Sequence, residues 1–347
     1  MAKRAALNIG GHTIAPGSRR TIDLPVTVMS DHTPVTLSLH AIHGRRDGPT
    51  LFVSAGVHGD EVIGVEIVRR LLKTREVGSV RGTLLVVPIV NTFGFLAHSR
   101  YLPDRRDLNR CFPGSPEGSL AARLAHLFMT EVVARSDYGI DLHSAAIHRT
   151  NLPQVRVSPG NKTTLALATA FGAPVILTSG IRDGSLRHSA AEHGVDVLLY
   201  EAGEGLRFDE MAVRAGVSGI LRVMRQLGML AAKSGSRPRA KSILCSRSRW
   251  MRAPAGGLLR TFKAEGDIVE AGTVLGAVAD PFGEADVEIT AEADGIIIGR
   301  AVMPVVNEGD AIFHIASVGS TDAAEATVDE LTAQLEADPM FDEDEII

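Results

Sequence analysis

Apolar residues recur along this chain in two rhythms. Short runs at 51–57 (LFVSAGV), 83–90 (TLLVVPIV), 138–142, 174–177 and 195–200 (VDVLLY) end in polar or glycine-containing chain, as buried strands do. Between them, Val62, Val65, Val68 and Leu72 have helical spacing within 61–72, and 120–133 and 208–230 repeat that period. Val-, Ile- and Leu-rich strands separated by helices predict an α/β domain with a largely parallel or mixed sheet. In such sheets sites form beyond the carboxyl ends of strands. The residues that close each run are therefore the first place to look for chemistry.

The rhythm changes after residue 250. Short β segments with glycines at turn positions replace the helices, and Gly257-Leu258-Leu259 with Glu265-Gly266-Asp267 echoes in Gly295-Ile296-Ile297 with Glu308-Gly309-Asp310. A length of 347 residues also exceeds what one core usually supports. Charge marks the boundaries. Residues 231–252 hold seven Lys and Arg and no acid, the composition of a linker, whereas 321–347 hold ten Asp and Glu and no base. Without those ten acids the formal charge of −5 would become +5. The predicted units are a catalytic domain over 1–230, a basic linker over 231–250, a β-rich domain over 251–318 and an acidic tail over 319–347. The tail is predicted to form a short helix around 328–335 and then a disordered end.

Composition narrows the function. The net charge of −5 argues against nucleic acid, and no apolar run of membrane-spanning length occurs. The start MAKRAALNIGGHTIAPG lacks the apolar stretch of a signal peptide, and Cys111 and Cys245 read as reduced thiols, so a cytoplasmic location is expected. No GxSxG elbow, Walker loop or GxGxxG fingerprint occurs.

The chemistry-bearing residues close the strands. His58 and Glu61, in Gly56-Val57-His58-Gly59-Asp60-Glu61, are spaced to face one side of a turn. Imidazole and carboxylate are two usual ligands of a catalytic zinc, which keeps one position open. His143, in Ile140-Asp141-Leu142-His143-Ser144, supplies a third, with Asp141 placed to orient a ligand. Between them, the segment 99–114 clusters Arg100, Arg105, Arg106 and Arg110 beside Asn109, and guanidinium forks suit carboxylates. Cys111 lacks a His/Asn partner pattern and reads as a small buried thiol.

GVHGDE, DLNRCFPG, DLHS and YEAGE, in that order, resemble the succinylglutamate desuccinylase/aspartoacylase family, a branch of the zinc carboxypeptidase superfamily, over roughly residues 20–230. The resemblance implies a zinc-carboxypeptidase-like mixed sheet flanked by helices. One Zn2+ per chain would be held by His58, Glu61 and His143. It implies hydrolysis of the amide of an N-acyl (N-succinyl- or N-acetyl-like) amino acid by metal-activated water, with Glu201 as general base and acid. Arg100 resembles the arginine that polarises the scissile carbonyl, and Asn109 and Arg110 the pair that grips a substrate carboxylate. Arg149, Arg182 and Arg187 are candidates for a second carboxylate, in a pocket lined by the loop 145–156. Glu204 departs from the aspartoacylase pattern. The two β halves resemble a lipoyl/barrel-sandwich-like domain, but 280–289 has no carrier lysine, which favours a structural, oligomerising or cleft-covering role. The partner implied is a small-molecule N-acyl amino acid, and a homo-oligomer is compatible with the chain. The alternatives are a peptide carboxypeptidase and a non-catalytic or regulatory metal-binding protein on the same fold.

Overall fold

The computed structural model describes residues 4–232 and 241–336. In chain order the strands are β1 (Leu7–Ile9), β2 (His12–Ile14), β3 (Ser18–Val28), β4 (Pro34–His43), β5 (Thr50–Ala55), β6 (Thr83–Val87), β7 (Tyr138–His143), β8 (Arg149–Val157), β9 (Val175–Thr178) and β10 (Asp196–Glu204). After them come β11 (Ile243–Cys245), β12 (Ser248–Arg252), β13 (Gly257–Thr261), β14 (Ile268–Val269), β15 (Val274–Ala279), β16 (Asp286–Thr290), β17 (Gly295–Ala301), β18 (Val305–Val306) and β19 (Ala311–Ala316). The helices are α1 (Ile63–Lys73), α2 (Thr92–Leu96), α3 (Leu120–Glu131), α4 (Lys162–Phe171), α5 (Leu186–Glu192), α6 (Glu210–Gln226) and α7 (Thr321–Glu336).

The apolar runs form the centre of one large mixed sheet, ordered β12-β19-β17-β8-β10-β7-β5-β6-β4-β3. β10, β7, β5 and β6 run parallel, and the sheet turns antiparallel at β8 on one side and at β4 and β3 on the other. Parallel central strands are buried on both faces, which is why they read as unbroken apolar runs. On one face α1, α4 and α6 enclose a core that includes Ile67, Phe171 and Ile220; on the other α3 and α5 enclose Phe128, Leu186 and Ala190.

Two kinds of element escape the apolar-run criterion. β3 buries only every other residue (Ile22, Leu24, Val26), so its signal is alternation and not a run. β8 replaces much of the segment expected to be a loop. Polar Asn151 and Gln154 interrupt its apolar pattern, and Pro153 lies where the β8–β10 register shifts, at a bulge, so no ladder hydrogen bond is needed there. The short helices α4 and α5 carry their signals at the cap: Asn161 accepts from the Thr164 N–H and Ser185 from the His188 N–H.

The C-terminal strands are continuous with the main sheet. β11 pairs with β9, and β17 pairs with β8, so the main sheet runs on into the C-terminal unit. A second, four-stranded sheet, β16-β15-β13-β18, covers that extension over a core of Leu259, Leu275, Ile297 and Phe313. Of the basic segment, 243–245 and 248–250 are thus strand, while 233–240 lie outside the described residues. The tail helix is longer than its periodicity predicts, spanning Thr321–Glu336, with Leu335 reaching the core beside α6. The expected disordered end lies outside the described residues. Among the described residues no helix is long and apolar enough to cross a membrane.

Candidate active site

The loop after β5 is shaped by glycine. A Cβ on Gly59 would fall 1.9 Å from the carbonyl carbon of Gly94, so only glycine lets this loop pack against α2. The packed loop places His58 and Glu61 on a turn before α1 and outside the helix itself; the Glu61 N–H donates to the His58 carbonyl at 3.2 Å. β7 ends with His143 beside them. The ligand atoms of His58, Glu61 and His143 all lie within 4.8 Å of one another, and all three residues are buried.

The two histidines present their Nδ1 atoms inward, each 2.7 Å from a different oxygen of Glu61. Their Nε2 atoms are held from behind, His143 by Asp141 at 2.7 Å and His58 by Asp107 at 3.1 Å. Asp141 is itself fixed by the Ser54 hydroxyl at 2.7 Å. This is how a carboxylate orients a metal-binding imidazole and sets which nitrogen is free. Burial alone would raise the Glu61 pKa, but His58 and His143 outweigh it and hold the carboxyl far below its ordinary range. The donor set fits one divalent cation of the nitrogen- and oxygen-binding kind, and the residues that would hold it are these three.

Arg100 joins this cluster. Its Nη1 donates to Glu61 at 3.2 Å and its Nη2 to Asp107 at 3.0 Å. Asp107 therefore links the arginine to His58, a role the arginine-rich loop concealed because an acid within a basic run reads as local charge balance. Asn109 is buried and its Oδ1 accepts from the Leu186 N–H at 2.9 Å. Arg110 is exposed, with Nη1 donating to the Asn109 carbonyl.

Glu201 lies opposite His143 where the parallel β10–β7 pairing ends; β7 stops there, while β10 continues to Glu204. Its Oε2 accepts from Asn151 Nδ2 at 2.9 Å, and Arg156 Nη1 lies 3.6 Å from Oε1. His58, Glu61, Arg100, Asn109, Arg110, Asp141, His143, Asn151, Arg156 and Glu201 line one cleft of about 480 Å³, together with Arg149, Arg182, Arg187 and Trp250, whereas Asp107 stands behind it. Burial, then neighbouring Arg156, lowers the Arg187 pKa to about 10, so it stays charged at neutral pH. Arg149 lies 5.2 Å from the centre of the Trp250 ring. Glu204 instead ties the adjoining loop, accepting from the His148 N–H at 3.3 Å and pairing with Arg207 at 3.1 Å. Asn151, Arg156 and Trp250 carried no separate sequence signal; strand register brings them to the cleft.

Residues 47–227 match the succinylglutamate desuccinylase/aspartoacylase catalytic domain. The N-alpha-acetyl-L-2,4-diaminobutyric acid deacetylase of Halomonas elongata is 31% identical over 286 residues, 79% of this chain and 84% of that protein. The chain belongs to the succinylglutamate desuccinylase/aspartoacylase family.

Within this family, the succinylglutamate desuccinylase of Burkholderia cenocepacia is 30% identical over 161 residues, 42% of this chain and 46% of that protein. A crystal structure of a succinylglutamate desuccinylase/aspartoacylase from Rhodobacter sphaeroides superposes with a TM-score of 0.78 at 26% identity, covering 86% of this chain and 96% of that one. Its coverage extends past the catalytic domain, so family likeness includes C-terminal strands. The deacetylase and desuccinylases are amide-bond hydrolases by name, and family membership makes this chain an enzyme of that kind.

Proposed function

We propose that the protein is a zinc-dependent hydrolase that cleaves the amide bond of an N-acyl amino acid. One observation carries the reading: three metal-donor residues within 4.8 Å stand beside a glutamate on the adjoining parallel strand. Zinc, when bound by His58, Glu61 and His143, supplies Lewis acidity at neutral pH. Glu201 takes the proton of the attacking water on a carboxylate oxygen and returns it to the departing amide nitrogen. Asn151 holds Oε2 of that carboxylate in place, and Oε1, with Arg156 Nη1 3.6 Å away, takes the proton. Arg100, fixed by Glu61 and Asp107, donates to the oxygen on which negative charge develops. Asn109, Arg110 and Arg149 receive substrate carboxylate.

The cleft's charge favours an anionic substrate. Six arginines (100, 110, 149, 156, 182 and 187) line it against three acids, Glu61, Asp141 and Glu201. That balance suits an N-succinyl-like conjugate, or an N-acetyl derivative of an acidic amino acid, better than one with a cationic side chain. The C-terminal unit reads as a barrel-sandwich-type module without a carrier role, and the free thiols Cys111 and Cys245 suit a reducing, cytoplasmic setting.

The test combines metal content with turnover. Purified protein is expected to hold close to one zinc per chain by mass spectrometry, and His143→Ala to lose it. Metal-loaded Glu201→Ala is expected to lose about 100- to 10,000-fold in amide hydrolysis. Wild-type rates in that variant would refute the mechanism.

A further inference from the structure

The cleft has one lining residue that the catalytic domain does not supply. Trp250 lies on β12, in the C-terminal unit, and lines the cleft. Its neighbour across the strand pair is His314, whose ring stacks on the indole at a centroid distance of 4.6 Å and 13° between planes. His314 Nε2 is held by the Ser248 hydroxyl at 2.9 Å. Burial, and then Arg156, push the His314 pKa down to about 3, so this ring is neutral at neutral pH and does not repel a nearby cation.

That cation is Arg149, at the start of β8, with its guanidinium carbon 5.2 Å from the Trp250 ring centre. Among the described residues Arg149 has no carboxylate partner, unlike Arg100 and Arg156. An aromatic face attracts a guanidinium without occupying its N–H groups. The half-buried Arg149 is thereby placed while its donor fork remains available. We propose that Trp250 is a positioning residue for Arg149, and that the two form a carboxylate-binding site where β12 of the C-terminal unit meets the cleft. The site takes the shared chemistry of a carboxylate, whether on the acyl side or the amino acid side of the scissile amide. This deepens the acyl amino acid reading and rests on it, but its test reads binding and not turnover.

Trp250 is the only tryptophan in the chain, so emission from the zinc-loaded wild-type enzyme reports on the site directly. Succinate and glutamate represent the acyl and amino acid sides, and succinamide is the neutral control. A saturable emission change with succinate or glutamate, absent with succinamide and lost in Arg149→Gln, is the expected result and assigns the side. No carboxylate-dependent change, or one that survives in Arg149→Gln, overturns the proposal. Calorimetric affinities for the responding carboxylate then separate positioning from packing. Trp250→Phe is expected to stay within about threefold of wild type, and Trp250→Ala to weaken binding about fivefold. If Trp250→Ala, confirmed folded by its thermal transition, binds as wild type does, the positioning role is wrong; if it does not fold, Trp250→Phe and Arg149→Gln still decide. Arg149-dependent binding in a protein that hydrolyses no acyl amino acid would overturn the function reading alone. Hydrolysis with Arg149-independent binding would do the reverse.

Discussion

A single methyl group in the C-terminal unit should disturb Glu201, the proposed general base. Gly299 on β17 pairs with Asn151 on β8, and a Cβ built at Gly299 falls 2.5 Å from Asn151 Oδ1. The amide must swing away, because the second near atom, the Thr150 carbonyl oxygen at 3.1 Å, belongs to the backbone and yields little. Swinging removes the 2.9 Å hydrogen bond from Asn151 Nδ2 to Glu201. A hydrogen bond to a charged group contributes about 1.5–3 kcal/mol. Gly299→Ala should therefore lower kcat/KM for a cleavable N-acyl amino acid by roughly 10- to 100-fold. The backbone contact should add about 1–2 kcal/mol of destabilisation, read as a fall in Tm. The assay is a double-mutant cycle on metal-loaded protein. Asn151→Ala should lose a similar factor by itself, and adding Gly299→Ala to it should cost no more than about threefold, because the clashing amide is gone. Full multiplication of the two losses would refute the reasoning. So would a Gly299→Ala enzyme with wild-type kcat/KM and only a lowered Tm.

Three further outcomes follow from the structure. Asp141→Asn should weaken zinc affinity about 10- to 100-fold in a chelator competition, since Asp141 orients His143 through a 2.7 Å contact; unchanged affinity would deny that role. His314 has a folded pKa of about 3 against an ordinary 6.5. The unfolded chain therefore binds a proton that the fold refuses. Stability is unaffected above pH 6.5 and falls as pH drops towards 3, by up to about 1.4 kcal/mol per unit. Thermal melts of His314→Gln, which can keep the Ser248 contact, should show a shallower loss of Tm between pH 6 and 4, and a parallel curve would disprove the assignment. Truncation after residue 232 should leave an aggregating, poorly folded product by size exclusion and circular dichroism. It strips Ile296 and Ile298 from Leu152, Val175 and Leu177, and frees an edge of β8; a monodisperse, folded fragment would show that the catalytic domain stands alone.

The sequence by itself determined the centre of this protein. Strands buried on both faces are largely apolar, so β5, β6, β7 and β10 were legible, and with them the positions of His58, Glu61 and His143 at or just after strand ends and of Glu201 where the β10–β7 pairing stops. Ordered motifs then pointed to the family. The segment 145–156 was legible as pocket lining and does line it, but the individual roles of Asp107, Asn151, Arg156 and Trp250 were not legible, because each acts through a neighbour distant in sequence: Asn151 reaches Glu201 across 50 positions, and Asp107 reaches His58 across 49. The extent of the C-terminal role was hidden for the same reason. A basic, Ser- and Pro-containing segment resembles a linker by composition, yet β11 within it pairs with β9, and β12, which begins within it, brings Trp250 to the cleft. Local pattern records which face of an element is buried. Only the register between strands, set when the whole sheet closes its cores, decides which polar groups meet across it.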